Sequence, residues 1–178
     1  MRTLPTKIQK VNQSNCQFVY PLWALMSYEG VGGAIVRDVK ARGDLWRAHC
    51  LATYMASSSD TVSIPDAVLA IPSTPSRQSK RGFNFAEVLA IEFSKKMGVP
   101  YLSGVLRRID MGVQAHRTPH KRRSLLSQRF ECTDFSLPQH ILIVDDVHTS
   151  GGTLDAAAIA LLNQSCRVSG VALTSCQL

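Results

Sequence analysis

The chain has no membrane-length apolar run, no cysteine pair and no acidic excess, and each absence closes off a class of function. The longest apolar stretch near the N-terminus, Phe18 to Met26, is interrupted by Pro21 and ends at Ser27 and Glu29, well short of the roughly 20 residues that span a bilayer. Its basic start is not followed by the apolar core and cleavage site of a secretion signal, so a cytoplasmic protein is expected. Cys16, Cys50, Cys132, Cys166 and Cys176 are scattered without a C-x-x-C pair, which suits a reducing compartment and argues against a disulfide framework. Aromatic residues make up only 7% and do not interleave with the basic ones in the manner of base-stacking strands. Internal repeats and low-complexity tracts are absent as well.

What is present is enough for one sizeable core: 178 residues with 45% hydrophobic content. Twenty Lys and Arg against 13 Asp and Glu give a formal charge of +7, the sign suited to nucleic acid or to a highly anionic small ligand. The distribution is uneven. Arg77, Lys80 and Arg81 form one cluster, and Arg107, Arg108, Arg117, Lys121, Arg122, Arg123 and Arg129 form another.

The most informative run is Ile141-Leu142-Ile143-Val144-Asp145-Asp146-Val147-His148-Thr149-Ser150-Gly151-Gly152-Thr153. Its apolar start fits a strand of a parallel sheet buried on both faces, with Asp145 and Asp146 emerging at the carboxyl end, where open α/β sheets bind ligands. Thr149 to Thr153 then offer free backbone N–H groups at a helix start, a favourable place for a phosphate. Ser-Gly-Gly-Thr alone also fits an ordinary strand-to-helix turn. Two adjacent like charges after a buried strand, however, repel each other and have no evident folding role. Together the parts imply a phosphorylated sugar whose hydroxyls, or a hydrated Mg²⁺, meet the carboxylates. The other acidic-pair reading, a phosphoryl-accepting receiver domain, is disfavoured by the pair's position near the C-terminus.

A second constellation follows the predicted strand Ala67–Ile71: Pro72-Ser73-Thr74-Pro75-Ser76-Arg77-Gln78-Ser79-Lys80-Arg81-Gly82-Phe83-Asn84. It is predicted as a loop, rigid over Pro72 to Ser76, rich in hydroxyls and then cations and suited to a pyrophosphate held by Arg forks. A helix over 83–97 is predicted next, closed by Gly98, with Tyr101 to Leu106 as a further strand. Arg107 to Pro119 reads as a mobile loop, Lys121 to Gln128 as a short helix, and Val168 to Thr174 as the last strand. Upstream, residues 1–17 are polar and patternless and read as a loosely docked arm, and Ile35 to Met55 as a helical pair broken at Gly43.

The Val144 to Thr153 run resembles the PRPP-binding motif of type I phosphoribosyltransferases, PRPP being 5-phosphoribosyl-1-pyrophosphate. Pro72, Pro75, Arg77 and Arg81-Gly82-Phe83-Asn84, followed by Leu106-Arg107-Arg108, Gln114, Arg122-Arg123 and Phe130, resemble a narrower group, the ComF/GntX-like proteins associated with competence for DNA uptake. Departures are the missing N-terminal cysteine-rich module, so that no zinc is expected, Phe85 after Asn84, and His148 and Ser150 in the PRPP loop. The resemblance implies an α/β fold with a mainly parallel sheet of about five strands, divided into a flexible arm (1–19), a helical hood over the acceptor site (20–60) and a phosphoribosyltransferase-like core (61–178).

It also implies a protein that binds PRPP with Mg²⁺ and transfers the phosphoribosyl group to a nitrogen nucleophile, releasing pyrophosphate. Asp145 and Asp146 would serve the ribose and, through water, Mg²⁺. His148, Thr149, Ser150, Gly151, Gly152 and Thr153 would hold the 5′-phosphate, and Ser73, Thr74, Arg77 and Arg81 the pyrophosphate. Arg107, Gln114 and Arg122 would belong to a flexible loop closing over the site, with Arg107 and Gln114 counted among the catalytic residues. The alternative is a non-catalytic PRPP- or nucleotide-binding accessory protein that engages single-stranded DNA or a competence partner; a homodimer fits either.

Overall fold

A computed structural model describes residues 7–11, 20–109, 130–133, 136–162 and 164–178. Within them the chain runs β1 (Gln9–Lys10), β2 (Leu22–Ser27), α1 (Val31–Arg42), α2 (Leu45–Ser57), β3 (Ala67–Ala70), α3 (Pro75–Arg81), α4 (Phe85–Met97), β4 (Leu106–Arg108), β5 (Phe130–Cys132), β6 (His140–His148), α5 (Gly152–Leu162) and β7 (Arg167–Ser175). The main sheet has the order β1-β2-β7-β6-β3, parallel throughout except for the antiparallel edge strand β1. A separate antiparallel pair, β4 and β5, brackets residues 110–129, which lie outside the described set.

Strand parity builds the core. Ile141 and Ile143 of β6 join a cluster with Leu154, Ala158 and Leu161 of α5, whereas Leu142 and Val144 join one with Val36 and Val39 of α1, Met55 of α2 and Leu89 and Phe93 of α4. Both faces of β6 are thus covered, which is why its apolar run is continuous. Helix α5 is apolar nearly all round and buried accordingly.

The N-terminal part differs from expectation. Gln9 and Lys10 pair with Ala24 and Trp23, and Ile8 and Val11 are buried, so this part of the expected loose arm is an edge strand. The expected hood likewise begins as a strand, since β2 lies beside β7 in the sheet, and α1 and α2 pack with α4 into one core layer. Phe85, one of the departures from the resembled pattern, is a core residue in edge-to-face contact with Phe83. The expected strand from Tyr101 to Leu106 is reduced to a single bridge at Tyr101, because Gly104 turns at φ +75° before β4 begins.

Two glycines fix how α1 meets the sheet. A Cβ at Gly32 would lie 2.2 Å from the Ser27 carbonyl oxygen, and one at Gly33 would lie 2.1 Å from that of Tyr28. The first turn of α1 therefore packs directly on the backbone leaving β2.

Candidate active site

The chain's two anion-suited loops meet at the carboxyl ends of β3 and β6. β3 pairs with β6 only as far as Ala70 opposite Val144, and then turns away. β6 continues alongside β7 to His148, so Asp145 and Asp146 lie on an extended strand with one flank vacated by β3, not in a loop beyond it. A cleft of about 180 Å³ opens there, lined among others by Ser73, Arg77, Arg81, Asn84, Asp145, Asp146, Thr149 and Thr153.

Because successive strand residues face opposite sides of the sheet, the two carboxylates have different surroundings. Asp146 is on the side of α1 and accepts a hydrogen bond from Lys40 Nζ at 2.6 Å, in an ion pair whose side chains are 20% and 14% exposed. Asp145 is 8% exposed, and its Oδ1 accepts the Asp146 backbone N–H at 2.8 Å. Burial, reinforced by the neighbouring Asp146 charge, pushes the Asp145 carboxyl up to about 8. Lys40 thus compensates the Asp146 carboxylate, whereas burial disfavours the charged form of Asp145.

Downstream, Gly151 adopts φ +86° and its carbonyl accepts the Asp155 N–H, starting α5 with Thr149 to Thr153 gathered at its N-terminus as expected. Among the predicted phosphate ligands, Thr149 and Thr153 line the cleft, whereas Ser150, Gly151, Gly152 and His148 do not. The His148 side chain is buried, with Nδ1 3.0 Å from Ser175 Oγ on the adjacent strand, while Nε2 is buried without a partner. Its imidazole fills a core position beneath the loop, and desolvation holds its pKa below the ordinary value.

The unfolded chain takes up a proton at His148 near pH 6.5 and the folded one resists it, so stability falls as pH drops below about 6.5. His148→Leu should therefore gain stability relative to the parent between about pH 7.5 and 5.5. Urea unfolding of both proteins across that range checks this, and a pH-independent difference would contradict it.

The second loop is shorter than expected. Pro75 opens a helix after Thr74, and Gly82 ends it at φ +78°. Arg77 and Arg81, four positions apart on α3, both line the cleft with Ser73, whereas Thr74 is outside the lining, its hydroxyl 3.4 Å from Ser76 Oγ. Asn84 Nδ2 donates to the Ile71 carbonyl at 3.0 Å and ties the loop to the start of α4.

Arg107 is not brought to the site: its side chain is 69% exposed and pairs with Glu131. The next residue on β4, Arg108, lines the cleft and stacks over Phe130 with its guanidinium carbon 5.4 Å from the ring centroid. Strand parity accounts for the difference. Gln114 and Arg122 lie outside the described residues. Lys40, Arg108 and Asn84 are the polar lining residues missed as site residues. Asn84 had a signal in the Arg-Gly-Phe-Asn run, but Lys40 is 106 residues from its partner and had none. Replacing Arg108 with Ala should weaken binding of an anionic ligand about tenfold, and Arg107→Ala should leave it within about twofold, measured by calorimetry with PRPP.

No cluster of three or more carboxylate, imidazole or thiolate groups suited to a metal occurs among the described residues. Asp145 and Asp146 suit Mg²⁺ only in the manner it commonly adopts, held by one or two carboxylates with waters and ligand phosphates completing its shell. A larger cavity of about 470 Å³ between α1 and α2 is walled mainly by apolar side chains, and its Asp38 and Arg47 pair with each other. The convergent polar groups are in the smaller cleft.

Fold and cleft together define a mainly parallel five-stranded α/β protein with anion-suited loops after β3 and β6 and an acidic pair between them. Sequence comparison then gives its relatives. The chain is homologous to competence protein F of Haemophilus influenzae, 24% identical in an alignment 156 residues long that covers 79% of this chain and 68% of that protein. It is 29% identical over 109 residues to the DNA utilization protein YhgH of Salmonella typhimurium, covering 61% of this chain and 48% of the relative. The chain thus spans about two thirds and one half of these two relatives. No family model matches it. Among solved structures, adenine phosphoribosyltransferase from Leishmania tarentolae superposes over 95% of this chain and 94% of its own, at TM-score 0.49 and 10% identity. Among the described residues, no helix is long and apolar enough to cross a membrane.

Proposed function

We propose that the cleft binds PRPP and that the protein acts as a phosphoribosyltransferase. The observation that carries this reading is the meeting, in one cleft, of the α5 N-terminal loop, the acidic pair and the paired arginines of α3. A ligand with a phosphate at one end of a sugar and a diphosphate at the other matches that order of groups. Thr149 to Thr153 would hold the 5′-phosphate at the helix N-terminus. Arg77, Arg81 and Arg108 would take the diphosphate, and Asp145 and Asp146 the ribose hydroxyls.

Departure of pyrophosphate leaves positive charge on the ribose ring and places negative charge on the leaving group, so the protein's contribution is oriented charge more than proton transfer. Mg²⁺, when bound with the ligand beside Asp145 and Asp146, supplies further neutralisation of the diphosphate. The nitrogen nucleophile would bond to the anomeric carbon on the face opposite the departing diphosphate oxygen, as the carbon–oxygen bond to that group breaks.

The names of the relatives, one a competence protein and the other a DNA utilization protein, favour a second reading in which PRPP is sensed by an accessory protein of DNA uptake. Pyrophosphate release from PRPP and Mg²⁺ across a panel of nitrogenous bases separates the two. Turnover with one base supports the enzyme, and PRPP binding without turnover supports the accessory role. If single-stranded DNA is the partner, its binding should weaken steeply with salt and be lost in Arg122→Ala/Arg123→Ala protein.

A further inference from the structure

We propose that Lys40 is an exchangeable counter-ion that changes partner when the cleft fills. In the empty cleft it holds Asp146, and on ligand entry it passes to a diphosphate oxygen and frees Asp146 for the sugar side. The inference rests on the PRPP reading and assigns a part in it to a helix outside both anion-suited loops.

The Lys40–Asp146 contact is short, 2.6 Å, and largely shielded from water. While it persists, that carboxylate oxygen is engaged, and a sugar hydroxyl or hydrated cation reaches Asp146 only by competing with the ammonium. An ammonium this shielded is costly to leave unpaired, so displacement requires another anion within reach. The cleft that Lys40 lines contains the diphosphate-suited arginines Arg77 and Arg81.

The fold keeps that reach short. Gly43, which ends α1 at φ +62°, abuts the end of α3 so closely that a Cβ there would lie 3.0 Å from the Arg81 carbonyl oxygen. Val36 and Val39 anchor α1 in the core, so the exchange requires movement of the Lys40 side chain alone. A lysine suits this role, because its ammonium is a compact charge on a flexible stem with three rotatable donors, whereas a guanidinium fork is fixed in plane.

Such an exchange makes opposite predictions for the two halves of the ligand. Calorimetry with pyrophosphate and, separately, ribose 5-phosphate, both with Mg²⁺, would compare the parent with Lys40→Met. Lys40→Arg serves as a charge-retaining second variant, and urea unfolding checks that each variant is folded. The expected result is that Lys40→Met binds pyrophosphate about tenfold more weakly while ribose 5-phosphate binds as well as in the parent or better, with Lys40→Arg intermediate for pyrophosphate. Unchanged pyrophosphate affinity, or an equal loss for both ligands, would overturn the exchange, the latter marking a purely structural ion pair. If Lys40→Met does not fold, an unaltered pyrophosphate affinity in Lys40→Arg overturns it and an intermediate loss supports it. Failure of the parent to bind either ligand would overturn the PRPP reading itself, and the exchange with it.

Discussion

Gly33→Ala protein is expected to be about 3 kcal/mol less stable than the parent, or to fail to fold. A new Cβ would sit 2.1 Å from the Tyr28 carbonyl oxygen and 3.0 Å from an Arg37 guanidinium nitrogen. The arginine can swing away, although it gives up its contact 5.5 Å over the Tyr28 ring. The carbonyl has less freedom, because the Tyr28 N–H donates to Ser175 at the end of β7, which anchors the peptide chain at the sheet margin. Relief therefore requires α1 to lift from the sheet, and α1 carries Val36 and Val39 of the core as well as Lys40 of the cleft. Alanine's better helix propensity returns only about 1 kcal/mol. Urea unfolding measures the loss; a variant within about 0.5 kcal/mol of the parent would show that the helix start is not held this close.

The second large effect concerns Asp145. Asp145→Asn is expected to make the unliganded protein more stable than the parent at alkaline pH while lowering its affinity for PRPP by about tenfold or more. The amide retains an oxygen for the Asp146 N–H and removes the charge that burial and Asp146 oppose. Folding raises the Asp145 pKa from 3.8 to about 8, so the folded state holds more protons than the unfolded one between those values. Stability then declines as pH rises through that window in the parent, and this contribution is absent from the variant. The advantage of Asp145→Asn should grow between about pH 5 and 8.5, as measured by chemical denaturation. A constant difference would mean that Asp145 is ionised in the folded protein throughout. The opposed changes in stability and affinity are those expected where a site holds a charge that the fold alone disfavours.

The Ile141 to Thr153 run was legible because its signals are local: a continuous apolar stretch, an acidic pair and a glycine-rich helix start all fall within 13 residues. β2 was not, since Leu22 to Ser27 is a short apolar run compatible with either a helix or a buried strand. β1 has only two residues, too few to show a period. α3 was within reach, as Thr74-Pro75 at one end and Gly82 at the other are ordinary helix boundaries; the hydroxyl-rich composition concealed it. The choice between Arg107 and Arg108 depends on which way β4 faces, and pairing with β5 across 110–129 sets that. Lys40 becomes a site residue only when α1 is laid on the sheet beside β6. Local chemistry thus marked the loops, and tertiary packing supplied the groups that compensate their charge.

The central claim is that one cleft recognises phosphate, ribose and diphosphate together. Titration calorimetry of the parent with PRPP, ribose 5-phosphate and pyrophosphate, each with Mg²⁺, and of Asp145→Asn/Asp146→Asn with PRPP, tests it most directly. The expected result is saturable one-to-one binding of PRPP to the parent, tighter than either fragment and weakened at least about tenfold by the double substitution. PRPP binding no tighter than pyrophosphate alone, or equal in the parent and the double variant, would contradict it.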